Sequence, residues 1–482
     1  MNLAEYASYD ALGLAELVAR KQVTPAELAK TAAAAREKID GVLKSVVELY
    51  PDRIEGLDER TLGNGPFRGV PLLIKDVFGH EKGRKIEFGS RLCAGMTVEA
   101  STHFVDLLKA AGVNVLGRSA APEYSMSATT ESVMFGNTST PWRQGYSAGG
   151  STGGGQAAVV AGIVPIAHGS DIGGSIRIPA SLCGGVGLKP SRMRISSGPV
   201  VDEGGWGYSM NFVQVKTVRD AAAMLDCLAV PQPGDPFIIA KPDEPYAALA
   251  RKAPGRLKVG IVLDELVGVK VDPEVAAAVE AAGKALAGMG HTVERARADM
   301  GGAEVLSATT DVFFFGFDAR LDGYAKRSGQ KVGPDTLEPV ILSVYRAASQ
   351  ITPARFIAAC GAVNTARRKL GAFYQSYDIW LSPTTARVSE PWGRYNLSKP
   401  GVGWDNLIDE MFTVPCQYTI PHNIMGTPAI SLPLAMHSSG LPIGVQVAAK
   451  PAAEHLVLQV AAQLEAAMPW ATRVPPLHVS KG

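Results

Sequence analysis

The sequence predicts an α/β protein built on a largely parallel, buried sheet. Short apolar runs of strand length alternate along the chain with helical stretches, the pattern of a sheet covered by helices. The composition supports a sizeable core, with 46% hydrophobic and 19% charged residues. A length of 482 residues would by itself suggest two or three domains.

The elements follow in order. Residues 9–40 read as two helices, the second opened by Thr24-Pro25-Ala26-Glu27, a capping box with proline at the first helical position. Apolar runs at 69–74 and 113–116 read as strands. The stretch 102–112 between them reads as a helix with Val105, Leu107 and Leu108 on its apolar side. Residues 156–162 form a short small-residue helix. Proline, lysine and aspartate accumulate over 231–256, a surface connection between two halves. A strand at 257–262 and an alanine-rich helix at 273–288 come next. Residues 300–420 look irregular. Phe313-Phe314-Phe315 reads there as core, although long irregular segments tend to lie over sites. The tail reads as two strands, 426–433 and 440–446, joined by a turn and closed by a helix at 455–467 that returns to the same sheet. There are no repeats.

Charge and cysteine usage narrow the function. With 47 basic and 46 acidic side chains the chain has no field for steering polyanions, so nucleic acid is not an expected partner. The start of the chain lacks a signal-peptide layout, and no run of about 18 apolar residues suggests a membrane span. A soluble cytoplasmic protein is expected. The five cysteines, Cys93, Cys183, Cys227, Cys360 and Cys416, are scattered without metal or redox spacing and read as free thiols in the core.

Two glycine-flanked serines stand 24 residues apart: Ser151 in Gly149-Gly150-Ser151-Thr152-Gly153-Gly154, and Ser175 in Gly169-Ser170-Asp171-Ile172-Gly173-Gly174-Ser175. Glycine lets a backbone approach a ligand closely. Gly149-Gly150-Ser151-Thr152-Gly153 also matches the Gly-x-Ser-x-Gly elbow of α/β-hydrolases, which would make Ser151 the nucleophile of an esterase. The elbow should follow a buried strand, but residues 141–146 are polar and proline-broken. Ser328-Gly-Gln-Lys331 lacks the companion motifs of penicillin-recognising enzymes, and neither glycine cluster has the lysine of a phosphate loop. Lys75 ends the apolar run Leu72-Leu73-Ile74, where desolvation can make a lysine a base; an ion pair with Asp76 is the alternative. His168 reads as a core histidine and Cys183 as packing.

The ordered set closely resembles the amidase signature family of serine hydrolases. It comprises residues 69–76 ending in Lys75-Asp76, the two serine motifs, the continuation Ser175-Ile-Arg177-Ile-Pro179, and Cys183-Gly-Gly-Val-Gly-Leu-Lys189-Pro190. The resemblance spans nearly the whole chain. It implies one domain over 1–482 with a mixed central sheet wrapped in helices, a signature core at about 65–200, and a 300–420 segment that helps form the substrate pocket. By motif, Ser175 would be the nucleophile, Ser151 a bridging serine preceded by a cis peptide bond, and Lys75 the base. The backbone N–H groups of Ile172, Gly173, Gly174 and Ser175 would form an oxyanion hole. Thr152, Asp171 and Arg177 would brace the loops, and Ser125, Met126 and Ser151 would face substrate. No metal or cofactor is implied.

Two departures stand out: Thr152 replaces the family's second serine, and Ser191-Arg192-Met193-Arg194 replaces its Thr-x-Gly-Arg. The implied partner is a small, fairly hydrophobic amide, or a carbamate or nylon-type oligomer. Residues 167–169 and 421–427 are similar to those of cyclic amide-dimer hydrolases. A homodimer is compatible with this reading. An esterase using Ser151 and a non-catalytic binding subunit are the alternatives.

Overall fold

The computed structural model of the protein describes residues 1–481. Its centre is a sheet of eleven strands: β1 (Val46–Leu49), β2 (Pro71–Lys75), β3 (Asn114–Ser119), β4 (Ile166–Asp171), β5 (Val186–Lys189), β6 (Met210–Val215), β7 (Lys258–Ile261), β8 (Thr292–Arg295), β9 (Ile379–Pro383), β10 (Ala429–Met436) and β11 (Pro442–Ala449). Across the sheet they run β1-β3-β2-β4-β6-β5-β10-β11-β9-β7-β8. The parallel pairs are β2 with β3 and β4, and β7 with β8 and β9; every other neighbouring pair is antiparallel. The sheet is therefore mixed, as the family resemblance implies, and not largely parallel as the alternation of elements suggests. Helical crossovers make the parallel pairs at its two flanks, whereas the β10–β11 hairpin and the return of β6 between β4 and β5 run antiparallel.

One sheet carries both halves of the chain, because β5 pairs with β10 across the middle. The stretch 231–256 is mostly exposed and joins the halves without dividing the sheet. Strands β2, β3, β4, β5, β9 and β11 are buried along their whole length, as expected beneath helices on both faces.

The helical readings hold with small shifts. Helices occupy Ala11–Ala19 and Pro25–Leu43, the latter with both hydrogen bonds of the Thr24–Glu27 capping box. His103–Ala110 buries Phe104, Val105 and Leu108, while Leu107 is only partly covered. Helices Gly153–Val160, Pro273–Gly288 and Glu454–Ala467 fall where expected.

The irregularity assigned to 300–420 is corrected by four helices, Ala303–Phe314, Phe317–Ser328, Pro339–Ala348 and Pro353–Gly371. In the first two, Phe313, Phe314 and Phe317 face a cavity as well as the core, which widens the apolar face and blurs the helical period. Leu321, Val340 and Ile341 of the middle two pack with Leu92, Met96, Tyr124 and Met126 from the first half of the chain, while Leu306 and Val363 of the outer two pack in a cluster with Trp380 and Ala448 of the sheet. Among the described residues no helix is long and apolar enough to cross a membrane.

Candidate active site

The two serines and the lysine come from adjacent elements. Strands β2 and β4 lie side by side and parallel, with Leu72 opposite Ile166 and Leu73 opposite Ala167. Lys75 closes β2 and Ser170-Asp171 closes β4, so both leave the sheet at the same edge. Ser151 precedes the Gly153–Val160 helix and Ser175 precedes the Arg177–Cys183 helix. A hydrogen bond from the Thr152 N–H to the Ser175 carbonyl, at 3.2 Å, ties the two loops together. The Gly150–Ser151 peptide bond is cis. Gly150 permits a close approach here, since a Cβ would lie 2.5 Å from the carbonyl oxygens of Ser127 and Thr129.

Lys75 is fully buried. Its Nζ lies 2.7 Å from Ser151 Oγ and 2.9 Å from Ser170 Oγ. Among the described residues it forms no ion pair, because Asp76 turns away to accept from Arg118 and from the N–H groups of Glu87 and Gly89. Burial is the main influence on Lys75 and lowers its pKa to about 7; the negative charge of Asp171 offsets this only in part. Lys189, also held near 7 by burial and by the charge of Arg177, gives its Nζ to the Pro190 carbonyl and reaches neither serine motif.

Asp171 and Arg177 form the brace. Burial acts most strongly on Asp171 and pushes its pKa up, but the charge and hydrogen bonds of Arg177, with Lys189 and Asn423, bring it to about 2. Arg177 Nε and Nη2 donate to the two carboxylate oxygens at 2.9 and 2.8 Å, a bidentate pair with both residues fully buried. The guanidinium also donates to the Thr419 carbonyl, Gln446 Oε1 and Asn423 Oδ1. Asp171 in turn accepts from the N–H groups of Gly174 and Ile176 at 2.9 and 3.2 Å.

That last contact corrects the predicted oxyanion set. The Gly174 N–H is already given to Asp171, while those of Ile172, Gly173 and Ser175 donate to no acceptor among the described residues. Gly174 sits at φ +135°, where a Cβ would lie only 2.5 Å from Thr419 Oγ1.

Ser175 opens onto a cavity of about 120 Å³, together with Gly150, Ile172 and Gly173. Ser125 and Met126 line the same cavity. Ser125 Oγ is buried without a hydrogen-bond partner among the described residues, and Tyr124 and Ser125 both adopt positive φ, at 50° and 62°. Ser151 does not reach this wall. It lies fully buried behind it, in contact with the lysine, and Thr152 is fully buried too. Ser175, Ser151 and Lys75 thus run from the cavity wall into the interior.

The geometry leaves the elbow reading without its histidine: among the described residues the side-chain partner of Ser151 Oγ is Lys75. The residues before Ser151 form a short ribbon outside the central sheet, Arg143–Ser147 against Ser139–Thr140, exposed at Arg143 and Gln144, rather than a buried strand. His168 is committed on both nitrogens: Nδ1 accepts the Lys75 N–H at 3.2 Å and Nε2 faces Asn211 Oδ1 at 3.3 Å. Burial and the charge of Lys75 hold its pKa near 3. Cys183 is buried with its thiol pKa pushed up, its Sγ directed at the Ala148 carbonyl. All five cysteines are free, although Cys227 and Cys360 are only partly buried.

Several participants escape a reading of the sequence. Ser170 belongs to the second serine motif, but no local pattern shows its contact with Lys75. Asn423 and Gln446 meet Arg177 only through the fold, 246 and 269 residues along the chain. The phenylalanine run, expected as core, divides: Phe313 and Phe314 line the cavity while Phe315 stacks on Phe356 at 4.3 Å.

The comparisons agree with this geometry. The family model described as Amidase matches residues 25–458. The chain is 35% identical to a 6-aminohexanoate-cyclic-dimer hydrolase of Paenarthrobacter ureafaciens, over 97% of this chain and 96% of the relative. It is 30% identical to an acylamidase of Rhodococcus erythropolis, with 96% of each chain covered. Among solved structures, that of a 6-aminohexanoate cyclic dimer hydrolase complexed with substrate superposes with a TM-score of 0.92 at 34% identity, covering 98% of this chain and 99% of that one. With the family model spanning most of its length and the serine and lysine motifs gathered at one sheet edge, the chain belongs to the amidase family of hydrolases acting on amide C–N bonds.

Proposed function

We propose that the protein cleaves small, hydrophobic amides through an acyl-enzyme on Ser175, with Ser151 as proton relay and Lys75 as base. The observation that carries this reading is the buried Lys75 amine, 2.7 Å from Ser151 Oγ and half-neutral near pH 7. Neutral Lys75 accepts the Ser151 proton, Ser151 accepts that of Ser175, and Ser175 Oγ attacks the substrate carbonyl. The N–H groups of Ile172, Gly173 and Ser175 receive the developing oxyanion, each such donor being worth about 3 kcal/mol in other acyl-transfer enzymes. Collapse breaks the C–N bond as Ser151 gives its proton to the leaving nitrogen and recovers one from the Lys75 ammonium, which restores neutral Lys75. Water then attacks the ester by the same proton route and releases the acid.

The cavity supports the substrate class. Its wall is mostly aromatic and aliphatic, with Phe78, Phe313, Phe314 and Phe412 among its members, and Ser125 Oγ is free to meet a substrate oxygen or nitrogen. Similarity to the cyclic-dimer hydrolases extends the candidates to nylon-type oligomers, and carbamates offer the same carbonyl. A cytoplasmic location is part of this reading, supported by five free thiols. The test is labelling with a fluorophosphonate followed by peptide mass analysis. An adduct on Ser175, absent in Ser175→Ala together with amide hydrolysis, is expected. Labelling of Ser151, or hydrolysis that survives Ser175→Ala, would overturn the assignment.

A further inference from the structure

The cavity wall has few polar groups that are not already used. Thr309 and Thr310 Oγ1 donate to the Val305 and Leu306 carbonyls of their own helix, Ser127 Oγ donates to the Tyr395 carbonyl, and Tyr124 hydroxyl meets Cys93 Sγ. Besides Ser125 Oγ, the groups free for substrate are the Ser175 cluster and the guanidinium of Arg320.

Among the described residues, Arg320 is the only charged side chain on this wall. It forms no ion pair and donates no side-chain hydrogen bond among them, and its nearest aromatic partner is the Phe317 ring, 5.9 Å from its guanidinium carbon. It is exposed at the mouth, on a helix whose Phe317, Arg320, Tyr324 and Arg327 follow one another at spacings of three and four along one face. Arg327 faces a neighbouring cavity of about 360 Å³ and donates to the Thr97 carbonyl, whereas the Arg320 guanidinium has no hydrogen-bond or ion-pair partner among the described residues.

We propose that Arg320 is a specificity-determining residue that binds a carboxylate at the end of the substrate remote from the scissile bond. The inference rests on the amidase reading above and sharpens it: linear amides of ω-amino acids or diacids, which carry a terminal carboxylate, are favoured over uncharged amides of similar size. A planar guanidinium suits a carboxylate bidentately, and an apolar wall beside it weakens competition from water.

The test compares substrates that differ only at that end. Glutaric acid mono-anilide is set against its distal carboxamide, and N-benzoyl-6-aminohexanoate against its amide, so that the charge sits on the acyl side in one pair and the amine side in the other. In at least one pair the carboxylate form is expected to have roughly tenfold higher kcat/KM, mainly through KM, between the worth of an exposed ion pair and that of a desolvated bidentate one. Arg320→Gln should bring that ratio to about one, and Arg320→Lys should restore part of it. Ser175→Ala provides a catalysis-free readout, its Kd for the same compounds measured by calorimetry with and without Arg320→Gln. Hydrolysis with ratios unmoved by Arg320→Gln in both pairs would overturn the carboxylate assignment and leave the amidase reading intact. Arg320-dependent binding without any hydrolysis by the wild type would do the reverse. Equal affinity for both members of each pair would overturn it as well.

Discussion

Replacing Lys75 with methionine separates the base from its surroundings. Burial lowers the Lys75 pKa from its ordinary 10.5 to about 7. Between those values the unfolded chain holds a proton that the folded protein lacks. Wild-type stability therefore rises with pH through this window, by about 1.4 kcal/mol per pH unit from this group and about 5 kcal/mol across it. Below pH 7 the amine is protonated in both states and the slope disappears. Methionine fills a similar volume and has no such dependence. It strips Ser151 and Ser170 of a partner, which costs about 1–3 kcal/mol for each buried hydroxyl, but that loss does not vary with pH.

The stability difference between the two proteins should thus move in favour of wild type by about 1.4 kcal/mol per unit from pH 7 to 10. Urea unfolding at pH 7, 8, 9 and 10 measures it, and Lys189 cancels because both proteins carry it. In parallel, wild-type kcat/KM should climb about tenfold per unit below pH 7 and level off above, while Lys75→Met loses about 10²–10⁴-fold. Stability curves that run parallel, with a pH–rate profile shared by both proteins, would refute a neutral buried lysine and with it the proton route.

Other outcomes test the brace and the loop. Asp171→Asn leaves the buried Arg177 charge without its carboxylate and should lower stability by about 3–5 kcal/mol, with a fall in kcat as the Ser175 loop loses its anchor; unchanged urea midpoints would argue against the brace. Gly174→Ala places a methyl 2.5 Å from Thr419 Oγ1 at a φ that side chains avoid. Acyl-enzyme formation in a burst assay should then slow at least as much as KM changes, whereas wild-type burst kinetics would show that the loop tolerates a Cβ.

Much of the site is legible in the sequence because its chemistry lies in three short segments. The lysine motif at 69–76 and the two serine motifs carry their contacts within glycine-rich loops, and strand adjacency does the rest. What sequence could not show depends on partners far along the chain. Gln446 reaches Arg177 from β11 and Asn423 from the Ile420–Met425 helix that precedes β10, and no local pattern marks either encounter. The direction of the sheet failed for a related reason. Alternating elements suggest parallel pairing, but β6 turns back between β4 and β5, a choice made by tertiary contacts. The Gly174 N–H misled because a glycine-rich loop advertises its donors without showing which an internal carboxylate has taken. In residues 303–328, aromatics that face the cavity widen the apolar side of the helices, so the residues that shape the pocket also blur the helical period.

The helices between 303 and 371 add no strand to the sheet, yet Ala303–Phe314 and Phe317–Ser328 supply much of the cavity wall opposite Ser175. Inheritance can therefore act on the two parts separately. Substitutions in this cap can remodel what is accepted while the β2 and β4 edge, where the reacting groups are fastened, is left untouched. For directed evolution Phe313 and Arg320 are the natural first positions to randomise, because Leu306, Phe314 and Phe317 are buried in the core and Phe317 packs on Tyr124.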